Sequence, residues 1–202
     1  MNGDTMVRAR AFDEDTVLTG AMTAFRRGGY AGVAIPALET ATGISAGSLY
    51  NAYGDKRGIF LAAFEHYLKA VLDARITRFA GPSHGLSGLR QLFLSLLREP
   101  DGEKFGCLIT NAAIEFGADD ALAAPTAHKG FDILERLFLD RLTTAKSLGK
   151  LRGGVDPKSA STRLLALYQG VLVLVRGGHE TTKIRRAIAC EFDDLERKTN
   201  DT

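Results

Sequence analysis

Apolar residues in this chain recur three and four positions apart and almost nowhere alternate, which confines it to helices packed on helices. From Phe12 onward they fall at Val17, Leu18, Ala21, Met22 and Phe25, one stripe of a helix. Asp13-Glu14-Asp15 open that stripe and Arg26-Arg27 close it ahead of Gly28, each charge suiting the nearer end of the helix dipole. Glycine and proline punctuate the rest of the chain. Gly43, Gly54, Gly81-Pro82, Pro100-Asp101-Gly102, Gly117, Pro125, Gly149, Gly153-Gly154 and Gly177-Gly178 separate segments rich in Ala, Leu, Glu, Arg and Phe. Helices are therefore expected over Pro36 to Thr42, Ala46 to Tyr53, about Asp55 to Phe79, Leu86 to Arg98, Phe105 to Phe116, Thr126 to Leu148, Lys158 to Arg176 and Thr181 to Arg197. With the first, that makes about nine and no strand: the expected fold is all-α.

Helix length divides the chain. Three short helices come first, then longer ones whose stripes suit a bundle, so the expected domains are residues 1–54 and 55–202. The long fourth helix, striped by Ile59, Phe60, Ala63, Phe64, Tyr67, Leu68, Val71 and Ile76, would bridge them.

Charge and cysteine content limit the functions open to such a bundle. Lys and Arg number 26 against 24 Asp and Glu, a net charge of +2, and hydrophobic residues make up 45%. That mix excludes disorder of the bulk and a broad polycationic coat for nucleic acid or membrane. Cys107 and Cys190 form no C-x-x-C pair and no disulfide framework, so free thiols in a reducing cytoplasm are expected. The first ten residues hold no apolar run of the signal-peptide kind. The densest apolar run, Leu164 to Val175, is broken by Tyr168, Gln169 and Gly170 and falls short of the roughly 20 residues a bilayer span needs. The expectation is a soluble cytoplasmic protein with no membrane partner.

The stretch from Ile35 to Lys56, IPALETATGISAGSLYNAYGDK, carries the most chemistry. Pro36 suits a first helical turn, Gly43 a left-handed stop and Ser45 an N-cap. Leu38, Ile44 and Leu49 can fill the wedge between the two helices, which is helix-turn-helix architecture. In that architecture the second helix enters the major groove of DNA. Ser45, Ala46, Gly47 and Ser48 are small enough to bring the helix N-terminus, with its free N–H groups, against phosphate. Tyr50, Asn51 and Tyr53 then offer hydroxyl and amide groups, Asn51 being suited to an adenine edge, and Lys56 can neutralise a phosphate. Residues 1–60 carry six basic and six acidic side chains, so DNA binding would rest on placement and dimerisation, not on a basic face.

Phe25-Arg26-Arg27-Gly28-Gly29-Tyr30, then Gly43-Ile44-Ser45-Ala46-Gly47-Ser48-Leu49-Tyr50, then Tyr53-Gly54-Asp55-Lys56 and Phe60 resemble the DNA-binding domain of the TetR family of transcriptional regulators. The resemblance implies an all-α homodimer, three N-terminal helices on a palindromic double-stranded operator, and a C-terminal domain for ligand and dimer contacts. It also implies a repressor released by a small-molecule effector. One departure stands out: Val33 and Ala34 occupy the place where the family usually has Thr or Ser capping the second helix and touching phosphate.

The C-terminal part has to be read from its own residues. Leu164-Leu165-Ala166-Leu167-Tyr168 and Val171 to Val175 give a helix apolar nearly all round, which calls for burial on more than one side. With Ile184, Ala187, Ile188 and Phe192 on the last helix, this suggests a two-fold interface from Leu164, Leu165, Val171, Leu172, Val175, Ile184 and Ile188, the alternative being a purely internal core helix. The expected ligand site lies among the middle helices, with Phe93, Leu97, Asn111, Phe131, Phe138 and Tyr168 supplying aromatic walls and polar handles, although core packing is the commoner use of each. Cys107 is either an inert small hydrophobe or a thiol lining that site. The Gly106-Cys107-Leu108 stretch with Asn111 resembles a TetR branch that includes sensors of electrophiles and small acids. Only Lys104 lies close enough in sequence to influence the thiol.

His66, His84, His128 and His179 show no metal-ligand spacing, and no P-loop, G-x-S-x-G or G-x-G-x-x-G motif is in place, so no metal, cofactor or catalytic residue is expected. A helical interaction module that never touches DNA is the alternative, and a Cys107–His128 enzyme a weaker one.

Overall fold

The computed structural model describes residues 12–97, 106–120 and 123–196. Lys104, Phe105 and Arg197 lie outside those residues. Among the described residues the secondary structure is helical, apart from a single antiparallel bridge between Leu151 and Glu196. The chain separates into two compact units, one ending at Tyr67 and the other beginning at Leu68.

The first unit holds α1 (Glu14–Gly32), α2 (Ile35–Thr42), α3 (Ala46–Tyr53) and α4 (Lys56–Tyr67). Val17, Leu18, Ala21, Met22 and Phe25 of α1 are buried, as their spacing predicts. Gly29 breaks the regular helix with a φ of 71°, so the Gly28-Gly29 stop is present inside a helix that resumes for one more turn. Ile59, Phe60, Ala63 and Phe64 of α4 bury against that core. The Phe25 and Phe60 rings meet edge to face at 5.2 Å, and Tyr30 meets Phe60 at 5.4 Å. Aromatic pairs of this geometry add roughly 0.5–1.5 kcal/mol beyond the area they bury. Gly20 lets α1 and α2 touch, because a Cβ there would stand 2.0 Å from the Ala41 carbonyl oxygen.

The expected fourth helix is present in three parts that succeed one another without a loop: α4, a π-helical stretch at Leu68–Asp73, and α5 (Ala74–Ala80). Counted as one helix, these give the nine that the sequence suggests among the described residues.

The second unit continues through a 3₁₀ turn at Pro82–His84 to α6 (Gly85–Ser95), α7 (Leu108–Phe116), α8 (Ala123–Ser147), α9 (Pro157–Arg176) and α10 (Thr181–Leu195). Helix α8 packs on α6, α7 and α9, while α6 also packs on α5 and α10. Its core gathers Leu89, Leu92, Phe93, Phe138, Leu142, Leu164, Tyr168, Ile188 and Phe192. Buried Arg141 turns its Nε to the Ala80 carbonyl at 3.0 Å and pairs with Asp140. Asp156 caps α9, its Oδ2 accepting from the Ser159 N–H at 2.9 Å.

Candidate functional site

Helices α2 and α3 are each eight residues long, too short to persist alone, so their pose depends on what holds them. Leu38 of α2 and Leu49 of α3 are fully buried and Ile44 is half-buried. Gly43 ends α2 in the left-handed region at φ 73°, its N–H donating to the Glu39 carbonyl. Ser45 caps α3: its Oγ accepts from the Ser48 N–H at 3.3 Å and lies 3.1 Å from the Ser48 hydroxyl. The Ala46 N–H is taken too, donating to Glu39 Oε1 at 2.7 Å. The N-terminus expected to meet phosphate with free N–H groups therefore already has two of them engaged within the protein.

The eight expected contact residues divide by exposure. Ser45, Gly47, Tyr50 and Asn51 are exposed, and Tyr50 is 41% accessible despite its size. Ala46, Ser48, Tyr53 and Lys56 are half-buried. The Tyr53 hydroxyl oxygen is buried, so its polar end faces the protein and not solvent. Lys56 opens α4 with Nζ 4.6 Å from the centre of the Tyr30 ring, a cation–π contact that fixes where its charge sits. Asp55 stabilises the same helix end, its Oδ1 accepting from the Gly58 N–H at 2.8 Å.

In the second unit the candidate ligand residues also divide. Phe93, Phe138 and Tyr168 come together, the Phe93 ring lying 5.6 Å from Phe138 and 5.3 Å from Tyr168. Phe192, expected on the last helix but not in this group, joins them at 5.3 Å from Phe93. All four rings are buried, so this cluster is core. Leu97, Asn111 and Phe131 are half-buried. Cys107 stands at the N-cap of α7, 3% exposed, whereas His128 is exposed on α8.

Polar contacts link α7 to α9 beside Cys107. The Thr110 hydroxyl donates to Gln169 Oε1 at 2.5 Å, and Arg176 Nη1 donates to Asn111 Oδ1 at 2.6 Å. Gln169 Nε2 is buried with no hydrogen-bond partner. The sequence does carry a signal for this group, since Gln169 interrupts the densest apolar run of the chain.

The expected dimer residues need correction. Leu164, Val171, Leu172, Ile184 and Ile188 are buried within the chain itself, at 6% exposure or less, and have no area left for a partner. Leu165 and Val175 are half-buried, while Val173 and Leu174, absent from the expected set, are 50% and 44% exposed. Helix α9 is apolar on two sides, but the inward side holds most of the residues expected to face outward.

Residues 17–63 match the family described as "Bacterial regulatory proteins, tetR family". Residues 85–190, more than half the chain, match the "Tetracyclin repressor-like, C-terminal domain". The chain belongs to the TetR family. Among its relatives, an uncharacterized HTH-type transcriptional regulator, YezE of Bacillus subtilis, is 34% identical over 79% of this chain and 84% of its own length. The HTH-type transcriptional repressor ComR of Escherichia coli is 26% identical over 88% and 86%. A cysteine-substituted TetR regulator, CifR, solved on a 26-base-pair double-strand operator, superposes with a TM-score of 0.80 at 26% identity, covering 93% of this chain and 99% of that one.

This is a TetR-family DNA-binding transcriptional regulator, a family of regulators and not of enzymes. Its departure from the usual TetR pattern has a structural counterpart: Ala34 stands at the N-cap of α2 with no side-chain hydrogen bond. Pro36 partly offsets the loss, since at the second helical position it has no N–H left for a cap to satisfy. Among the described residues no helix is long and apolar enough to cross a membrane, and no group of three His, Cys, Asp or Glu residues could hold a metal.

Proposed function

We propose that the protein is a homodimeric repressor, released from a palindromic operator by a small molecule that binds the second unit. The exposed face of α3, which offers Ser45, Gly47, Tyr50 and Asn51 to solvent from a helix anchored by buried Leu49, is the observation that carries the reading. Ser45, Ala46, Gly47 and Ser48 would let the backbone come close to phosphate. Tyr50 and Asn51 would reach base edges, with Lys56 on a flanking phosphate. A Cβ on Gly47 would come no nearer than 4.0 Å to any neighbour, so the glycine is not demanded by internal packing. The operator-bound CifR structure supports the same assignment by likeness.

Two copies would be joined through the outer side of α9, using Leu165, Val173, Leu174 and Val175 around Gly170, where an added Cβ would meet open space. A half-site spacing of roughly 34–36 Å would then match successive turns of the major groove. The effector would bind near the α7–α9 contact, with Leu97, Phe131, Asn111 and Cys107 lining its site and Phe93, Phe138 and Tyr168 as its packed floor. A buried donor without a partner costs about 1–3 kcal/mol, and Gln169 Nε2 is a handle suited to an acceptor oxygen on such a molecule.

The test is a gel retardation at fixed salt with DNA from the protein's own upstream region. Retardation of a palindromic fragment at a stoichiometry of two chains supports the reading. Failure to retard any such fragment would favour the helical interaction module instead.

A further inference from the structure

Glu39 sits on α2, half-buried and seven positions before the residue it grips. Its carboxylate oxygen takes the Ala46 N–H at 2.7 Å across the Gly43 turn, while its backbone carbonyl takes the Gly43 N–H at 2.9 Å. One residue therefore closes the end of α2 and caps the start of α3. The burial of Leu38 and Leu49 is non-directional and lets a short helix roll or slide. A charge-assisted hydrogen bond to a backbone N–H does not, because it depends on distance and angle together. The first turn of α3 also carries the positive end of its dipole, which the carboxylate complements.

We propose that Glu39 is the positioning residue of the DNA-reading helix: a carboxylate clamp that fixes the rotation of α3 on α2 and hence the direction of Tyr50 and Asn51. The inference rests on the reading of α3 as the DNA-contacting helix. It goes beyond that reading by assigning specificity to an acidic side chain that takes no part in neutralising phosphate. It also accounts for an otherwise unfavourable feature, an acidic group beside the proposed DNA-contacting helix in a unit whose first 60 residues carry no net charge. A carboxylate there weakens attraction to phosphate, and the bond to the Ala46 N–H is the geometric gain that offsets it.

The experiment compares Glu39→Ala, which removes the clamp, with Glu39→Gln, which keeps an acceptor oxygen at the same reach and removes the charge. The full-length protein is titrated against its operator fragment and against a scrambled duplex at one salt concentration, with thermal melts of every variant. The expected result is a loss of operator affinity of about tenfold or more in Glu39→Ala, with binding to scrambled duplex unchanged or tighter. Glu39→Gln is expected to restore operator affinity to within about threefold of wild type. Equal losses on both duplexes would mean general unfolding and overturn the clamp, as would unchanged or tighter operator binding by Glu39→Ala. A Glu39→Gln variant as impaired as Glu39→Ala would also overturn it, because charge and not the bond would then matter. Wild-type protein that binds neither duplex would remove the DNA reading and this inference together, a pattern distinct from every variant-specific outcome.

Discussion

The two units use their aromatic residues in opposite ways. In the first, Phe25, Tyr30 and Phe60 pack on one another, while Tyr50 stands out in solvent on a helix anchored by Leu49. In the second, Phe93, Phe138 and Tyr168, the packed floor of the proposed effector site, are also the centre of the core. On the proposed function, stability and recognition fall to different side chains in one unit and to the same side chains in the other. The first arrangement suits a surface that must match a stiff double helix. The second suits a site that has to open around a small ligand.

That difference can be broken most forcefully at Phe93. Phe93→Ala should destabilise the second unit by about 3–5 kcal/mol, because it removes a ring with three aromatic neighbours and leaves a cavity. Chemical denaturation would measure it, and a loss below about 1 kcal/mol would show the cluster to be loosely packed.

Tyr50→Ala should do the reverse. We expect operator binding to weaken by about 1–3 kcal/mol with the melting temperature nearly unchanged, read by salt-controlled gel retardation beside a thermal melt. A variant that melts early but binds normally would place Tyr50 with the core residues and erase the contrast.

Gln169→Met sharpens the comparison inside the second unit. The substitution removes the unpartnered Nε2 donor but also the Oε1 that accepts from the Thr110 hydroxyl, so stability should change by less than about 1 kcal/mol while the response to the effector is lost. A less stable variant with a normal response would make Gln169 purely structural.

The smallest effect concerns Asp156, whose carboxyl is held below its ordinary value of 3.8 chiefly by the Ser159 N–H and also by the Ser159 hydroxyl. A group whose pKa is depressed in the folded state contributes stability above its unfolded value and loses it as pH falls through the folded one. Melts between neutral pH and pH values below 3.8 should therefore converge for wild type and Asp156→Asn at the acid end. Curves that separate further in acid would contradict the capping role.

What the sequence shows well is what depends on near neighbours. Pro36, Gly43 and Ser45 announce the ends of α2 and α3 because turn and cap chemistry acts over three or four residues, and all three stand where that chemistry requires. The apolar stripes of α1 and α4 are equally plain. The clamp from Glu39 to Ala46 is not legible, since its partners lie seven residues apart and meet only once the turn has closed. The same reason explains α9. Its apolar character is evident along the whole helix, but Leu164 and Leu172 turn inward while Val173 and Leu174 face out according to where α8 and α10 lie. Phe192 and Gln169 take their roles from partners on α6 and α7, far away in sequence, and no local pattern names those partners.

Gly20 illustrates how far the reading site extends in genetic terms. A side chain there would collide with the carbonyl of Ala41, the residue two places before the Gly43 turn. Any replacement acts as a wedge under α2 and carries the displacement on to α3. A selection for clones that fail to occupy the operator should recover Gly20 as readily as Tyr50, though Gly20 packs against α2 and lies outside the exposed face of α3. The mutational footprint of recognition is wider than its contact footprint, and its hidden margin is a missing methyl group.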